Sequence, residues 1–261
     1  MSELVVDGVS VRFGGLSALE DVSFTVGHGQ VCGVIGPNGA GKTTLFNVIC
    51  GFVSPTEGSL TWEGARFRPK PNALVRAGIA RTLQGVGLFA GLTALENVMV
   101  GAAHTRRAGF ASPLLGLPRS DQDEERLRRE ALGWMERLEV ADAAHRLPPT
   151  LPYPVQKRVA LARALVSRPR LLLLDEPAGG LGAEDMDALG ALIRTLPTDP
   201  GQPCSVLLVE HHMDLVMRVC DRVVVLDFGR VVASGSPDEV RNDPEVAAAY
   251  LGVDVPAEAA P

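Results

Sequence analysis

The stretch Val31-Cys32-Gly33-Val34-Ile35-Gly36-Pro37-Asn38-Gly39-Ala40-Gly41-Lys42-Thr43-Thr44 decides how the rest of the chain is read. Val31 to Ile35 is a compact apolar run with the look of a buried strand. Gly36 to Thr43 fits the pattern Gly-x4-Gly-Lys-Ser/Thr, and Thr43 to Cys50 has helical character. Strand, glycine-rich loop and helix in that order make a phosphate-binding unit. The glycines let backbone N–H groups turn onto phosphate oxygens, and the helix N-terminus adds positive potential. Lys42 has the reach for β- and γ-phosphates, and the Thr43 hydroxyl is placed to ligate Mg²⁺. The competing reading is a flexible glycine turn with an incidental lysine. The flanking strand and helix weigh against it.

A second stretch, Leu171-Leu172-Leu173-Leu174-Asp175-Glu176-Pro177, is an apolar strand ending in two carboxylates. Downstream of a phosphate loop, this places Asp175 beside the metal, as a direct or outer-shell partner. Glu176 then polarises the attacking water as a general base. Alone, the pair would read equally well as solvated acids at a strand end.

Composition bounds the rest. The 261 residues suffice for one large α/β domain, or for a core with an inserted lobe. At 46% hydrophobic and 21% charged, the chain is globular in character. Lys plus Arg number 25 against 31 Asp plus Glu, so a broad basic surface for nucleic acid is not expected. Cys32, Cys50, Cys204 and Cys220 show no metal-ligand spacing, and Cys32 and Cys204 sit in apolar runs. A reduced, cytosolic chain is the simplest account. The start, Met1-Ser2-Glu3, carries no secretion signal. Apolar runs such as Leu171–Leu174 and Val206–Val209 are too short to span a bilayer, so a membrane role must come through a partner.

Along the chain, residues 4–13, 22–26, 171–174, 205–209 and 222–226 are predicted strands. Hairpins are expected at Glu63-Gly64 and at Asp227 to Arg230. From about 88 to 166 the texture turns helical. Residues 106–120 read as a connector. Asp121 to Glu139 is a predicted helix with Ser120 as N-cap and an apolar stripe of Leu127, Ala131, Leu132, Met135 and Leu138. Further helices are expected at 155–167, 183–196 and 212–220. The Ala/Pro/Glu-rich tail 253–261 reads as frayed. The expected fold is therefore α/β: a P-loop NTPase core, 1–87 and 167–252, mostly parallel with an antiparallel β subdomain, and an inserted α-helical lobe at about 88–166.

With these motifs in order, the sequence resembles the ABC ATPase family. The resemblance implies Mg·ATP as cofactor, held by Gly36, Pro37, Asn38, Gly39, Ala40, Gly41, Lys42, Thr43 and Thr44. It places Phe13 against the adenine, where stacking is worth ~1–3 kcal/mol; the alternative is a core strand phenylalanine. Gln84 matches the glutamine that touches metal and water and joins core to lobe. His211 matches the switch histidine at the γ-phosphate, and His212 beside it reads as solvated. The opening Val11 to Leu16, the segment Leu88 to Val98 and the ends Arg222 to Gly229 and Asn242 to Val246 are most similar to ATP-binding subunits of branched-chain amino acid transporters. Relatives for amides and urea look alike. The resemblance implies a peripheral subunit at the cytoplasmic membrane face. It would work in a nucleotide-sandwich dimer. A permease helix would dock near Gln84–Asn97, and an extracytoplasmic binding protein would feed it solute. Leu88, Phe89 and Leu92 are candidates for the groove floor, or alternatively lobe core.

Two stretches depart from the family. Its signature, Leu-Ser-Gly-Gly-Gln, caps the nucleotide of the opposite protomer. Here the aligned residues are Leu151-Pro152-Tyr153-Pro154-Val155. Pro152 has no hydroxyl, and neither proline has an N–H. The prolines also bias Leu151 and Tyr153 away from helical geometry. After Pro177, where the family has Ala-Leu-Asp or Gly-Leu-Asn, this chain has Ala178-Gly179-Gly180-Leu181-Gly182, and Gly182 offers no side chain to cross an interface. The expectation is a heterodimer with a second ABC ATPase, a homodimer being the alternative. A different class of reading is a non-catalytic regulatory module in which ATP only locks a dimer. A DNA- or ribosome-directed ATPase is disfavoured by the single cassette and negative charge.

Overall fold

The computed structural model describes residues 3–82, 85–105 and 118–251. The chain divides into two compact units, Met1–Leu74 with Met186–Pro261, and Val75–Asp185.

The first unit holds two sheets. Strands β1 (Leu4–Phe13), β2 (Leu16–Val26), β4 (Glu57–Trp62) and β5 (Ala65–Phe67) form an antiparallel sheet in the order β2-β1-β4-β5. Strand β3 (Val31–Ile35) is buried throughout. It pairs in parallel with β8 (Ser205–Val209) and β9 (Arg222–Asp227), and β10 (Arg230–Gly235) adds antiparallel to β9. Parallel strands are covered on both faces, so they read as continuous apolar runs rather than alternations. Helices α1 (Lys42–Ile49), α6 (Met213–Val219), α7 (Pro237–Arg241) and α8 (Pro244–Leu251) complete the unit.

The second unit pairs β6 (Ile79–Arg81) with β7 (Leu171–Asp175) in parallel. Helices α2 (Ala94–Gly101), α3 (Pro118–Arg137) and α4 (Tyr153–Leu165) pack on one another. Helix α5 (Ala183–Thr195) contains the boundary between the units. Leu127, Ala131, Met135 and Leu138 of the apolar stripe are buried, Leu132 is half-buried, and Trp134 joins them. A capping box opens α2: the Glu96 N–H donates to Thr93 Oγ1 at 3.3 Å, and the Thr93 N–H donates to Glu96 Oε2 at 2.7 Å. That backbone bond from Thr93 holds the Glu96 carboxyl below its usual range.

Several boundaries differ from the sequence expectation. Strand β2 begins at Leu16 rather than 22, because Phe13 pairs with Leu16 and Val11 with Leu19 across a tight hairpin. Strand β6 has only three residues, too short to show a period. Helix α3 starts at Pro118, so Ser120 lies inside it and is not its N-cap; proline suits a first helical turn. Both expected hairpin turns are present. Glu63 and Gly64 have φ of 53° and 77°, and Phe228 and Gly229 have 42° and 80°, the left-handed pair that matches strand twist. Residues 106–117 of the expected connector and the tail 253–261 lie outside the described residues.

All four cysteines are free and buried. Burial pushes the Cys32 thiol up to about 12, and raises Cys220 as well. Native protein at pH 8 should therefore react with a thiol reagent only as fast as it opens, with four thiols appearing at full rate in denaturant; rapid native labelling would contradict this. The buried, neutral Cys32 thiol also makes stability depend on pH. Its contribution to stability is present below the ordinary thiol range near 9 and is lost as pH climbs towards 12.

Candidate nucleotide site

In the first unit, β3 ends at the phosphate loop and α1 begins from it. Gly41 is the helix N-cap, with φ 101°, and no side chain caps the helix. The first N–H groups of a helix have no partner within it. Without a capping side chain, this end has the donor set of an anion site. Gly36 has φ 150° and lies so close to β9 that a Cβ there would overlap the Leu226 carbonyl. At Gly39, φ 84°, a Cβ would meet nothing within 4 Å, so the loop's outer side is open. Lys42 is buried, and its Nζ donates to the Gly36 carbonyl at 2.6 Å and the Pro37 carbonyl at 2.8 Å. The cation is thus held at the mouth of the loop. Thr43 is exposed on the first turn and Thr44 half-buried. Pro37 is half-buried, Asn38 exposed and Ala40 buried. The Gly229 N–H donates to the Ala40 carbonyl at 3.0 Å, tying the β9–β10 turn to the loop.

Phe13 is 53% exposed at the tip of the β1–β2 hairpin. It is not a core phenylalanine, and its ring is available for stacking. His211 follows β8 and is exposed. Its backbone N–H donates to Glu210 Oε2 at 3.0 Å, and the His212 N–H does so at 3.3 Å. Glu210 is fully buried, so this carboxylate fixes the turn that presents His211. His212 is half-buried, its ring centroid 4.4 Å from that of His211, and it occupies the N-cap position of α6. It is therefore less solvated than the sequence suggests.

In the second unit, Asp175 ends β7. Its Oδ2 accepts from Arg81 Nη2 at 2.7 Å, with the two side chains 5% and 14% exposed. Arg81 comes from the adjacent β6, since Arg81 stands opposite Leu173 in the ladder. Glu176 follows in the left-handed region at φ 48°, half-buried. Its carbonyl accepts the Gly179 N–H at 3.2 Å, closing a turn over Pro177 and Ala178. A carboxylate at a buried strand end and a hydroxyl on an uncapped helix turn are both hard oxygen donors, the chemistry Mg²⁺ requires. Gln84 lies outside the described residues.

Pro152 is the N-cap of α4, with φ −55° and ψ 148°, and makes no side-chain cap. Leu151 is extended, with φ −97° and ψ 143°. Tyr153, however, is helical, contrary to the bias expected from Pro154. The preference is overridden because Pro154 falls in the first turn, where its missing N–H costs no helical bond. Tyr153 is 41% exposed, and Pro154 and Val155 are half-buried. Gln156 Nε2 donates to the Leu151 carbonyl at 2.9 Å.

The candidate groove turns on Asn97, which is fully buried. It accepts the Phe89 N–H at 2.8 Å and donates to the carbonyls of Phe89, Leu92 and Thr93 at 3.1, 3.0 and 2.9 Å. Asn97 therefore shapes the 89–93 loop from beneath. Phe89 is 53% exposed, under the Arg163 guanidinium at 5.9 Å, so it is not lobe core; Leu88 and Leu92 are half-buried.

The sequence reading missed Arg81, Glu210 and Lys157. Glu210 carried a signal, a lone carboxylate directly after an apolar strand. Arg81 and Lys157 carried none, because their partners lie far along the chain.

Most of the chain is similar to known proteins. The family described as ABC transporter matches residues 19–179, and that described as branched-chain amino acid ATP-binding cassette transporter matches 230–256. The chain is 40% identical over 250 residues to the high-affinity branched-chain amino acid transport ATP-binding protein BraF of Pseudomonas aeruginosa, covering 95% of this chain and 97% of that protein. It is 38% identical to the LivG counterpart of Escherichia coli K12 over the same shares. Among solved structures, a nucleotide-free ATP-binding cassette from an ABC transporter superposes with TM-score 0.80 at 29% identity, over 97% of this chain and 100% of that one. A dimeric cassette in a post-hydrolysis state, bound to ADP and Pi, gives 0.74 at 25% identity over 90% and 98%.

Proposed function

This chain belongs to the ABC transporter family of ATP-binding cassettes, and from that premise we propose that it hydrolyses Mg·ATP to drive an importer of branched-chain or related amino acids. The observation that carries the chemistry is the loop 36–44, with its left-handed glycines, uncapped α1 and inward Lys42. The relatives of nearly equal length support the solute class, since their names specify branched-chain amino acids.

The residues divide the work as follows. Lys42 and the loop N–H groups neutralise β- and γ-phosphate oxygens. Thr43 and Asp175 would hold Mg²⁺, with Gln84 contributing to metal and water. The ion supplies further charge neutralisation when bound. Glu176 takes the proton of the attacking water as the water oxygen bonds to the γ-phosphorus and the bond to the β-phosphate oxygen breaks, releasing ADP. His211, fixed by Glu210, contacts the γ-phosphate. Phe13 stacks on the adenine.

The partners follow from the same reading. The cassette works in a nucleotide-sandwich dimer at the cytoplasmic membrane face. Among the described residues no helix is long and apolar enough to cross a membrane. Permease subunits supply that path and dock at the 84–97 segment, where Phe89 is exposed. An extracytoplasmic binding protein delivers the solute.

At the signature, Tyr153 and Val155 keep their N–H groups, but Pro152 and Pro154 have none to give a partner's nucleotide. Each hydrogen bond lost to a charged group costs ~1.5–3 kcal/mol. A heterodimer, whose second ATPase brings a normal signature to loop 36–44, resolves this. The prolines also favour a second reading, a regulatory partner that binds ATP without turning it over. One assay tests the weakened cap on which both readings rest. Mg·ATP hydrolysis is measured for the wild type and for Pro154→Gly. We expect Pro154→Gly to raise turnover severalfold by restoring one N–H. No gain, with ATP binding intact in both, would reject the weakened-cap account.

A further inference from the structure

The turn after the general base is held by a side chain from the signature helix. Lys157 Nζ donates to the Pro177 carbonyl at 2.7 Å and to the Glu176 carbonyl at 3.3 Å. Glu176 itself sits in the left-handed region, φ 48°, where a side-chain-bearing residue is strained. Such conformations persist only where surrounding contacts over-determine them. Here three contacts do so: the Gly179 N–H on the Glu176 carbonyl, and the two bonds from Lys157.

Lys157 is in turn supported. Its Nζ lies 5.4 Å from the centre of the Tyr153 ring, one helical turn earlier on α4, within the range of a cation–π contact. The Tyr153 ring also reaches the loop beyond Pro177. A Cβ at Gly180 would lie 2.9 Å from Tyr153 Cε1, and Gly180 has φ 74°, so only glycine fits both the backbone and the ring. Tyr153, Lys157, Glu176 and Gly180 thus form one connected set within the second unit.

We propose that Lys157 is a positioning residue for ATP hydrolysis, clamping the strained backbone of Glu176 with Tyr153 as its platform. This rests on the reading of Glu176 as general base. It gives the altered signature a task that prolines do not impair. The segment loses donors towards a partner's nucleotide, yet its tyrosine and lysine brace the catalytic turn of their own protomer. Movement of the α4 N-terminus is thereby transmitted to the carboxylate that must align the water.

The test compares wild type, Lys157→Met, Lys157→Arg and Glu176→Gln of the full chain. Each is assayed for Mg·ATP turnover and for amide hydrogen exchange across 176–180. Methionine keeps the aliphatic stem and removes the donors; arginine keeps donors. Losing bonds from a charged donor should lower kcat at least about tenfold in Lys157→Met, with KM for ATP within about twofold and exchange at 176–180 faster by a similar factor. Lys157→Arg should recover most of both. Wild-type kcat in Lys157→Met overturns the assignment. So does slow turnover with unchanged exchange at 176–180, since Lys157 would then act elsewhere. If the wild-type chain alone shows no measurable turnover, the exchange result decides. Turnover that persists in Glu176→Gln would instead overturn the reading of Glu176 on which the assignment rests.

Discussion

Glu176→Gln should bind Mg·ATP with nearly wild-type affinity and hydrolyse it at least about a hundredfold more slowly, the range expected for loss of a general base. The side chain is half-buried directly after β7, and its replacement is isosteric, so folding should be unaffected. The amide still accepts a hydrogen bond from water but cannot take its proton. Turnover is read by phosphate release, and affinity by titration with a fluorescent ATP analogue. A variant that keeps more than about a tenth of wild-type turnover would mean another group accepts the proton. In a dimer that closes on nucleotide, the same change should prolong the closed state. That gives a second readout, a longer-lived dimer on addition of Mg·ATP.

Gly36→Ala should be the more damaging change to the protein as a whole. The added Cβ would overlap the Leu226 carbonyl in β9 and lie 3.1 Å from the Ala40 Cβ. Both neighbours are fixed: Leu226 is a buried strand residue, and Ala40 receives the Gly229 N–H on its carbonyl. The methyl can therefore be admitted only by moving the loop off β9. Overpacking of this kind costs about 1–3 kcal/mol, occasionally more. The φ of 150° adds strain. A thermal melt should show the loss directly. Because the displaced loop is also the proposed phosphate cradle, ATP affinity should fall beyond what the melt explains. Gly39→Ala is the control. It has positive φ but no atom within 4 Å, so it should bear strain without a clash and keep more of both properties.

How much of this was legible in the sequence varies with the span of the contacts. The phosphate loop is local. Eight consecutive residues carry both the turn and its chemistry, and the structure returns strand, loop and helix in that order. The apolar runs of β3, β7, β8 and β9 were equally legible, because strands buried on both faces leave a continuous signature. The hairpin tips at 63–64 and 228–229 were read from turn chemistry alone. Where expectation failed, a neighbour decided. Strand β2 extends six residues earlier because β1 offers it a ladder, and Tyr153 enters α4 despite Pro154 because the first turn tolerates a missing donor.

The amino-acid sequence by itself determined the groups that the proposed chemistry draws on: a glycine-rich loop before a helix, a carboxylate pair and a histidine after an apolar strand. It also determined the two prolines that remove donors from the signature, since an absent N–H is a covalent fact. Tertiary structure alone decided how those groups are held. Arg81 meets Asp175 across 94 residues, and Lys157 meets Glu176 across 19. Asn97 turns inward to shape a loop eight residues before it. No spacing rule reaches such pairs, because they arise when strands and helices pack and bring distant polar groups into a buried setting. There, each must find a partner or lose the free energy of its solvation.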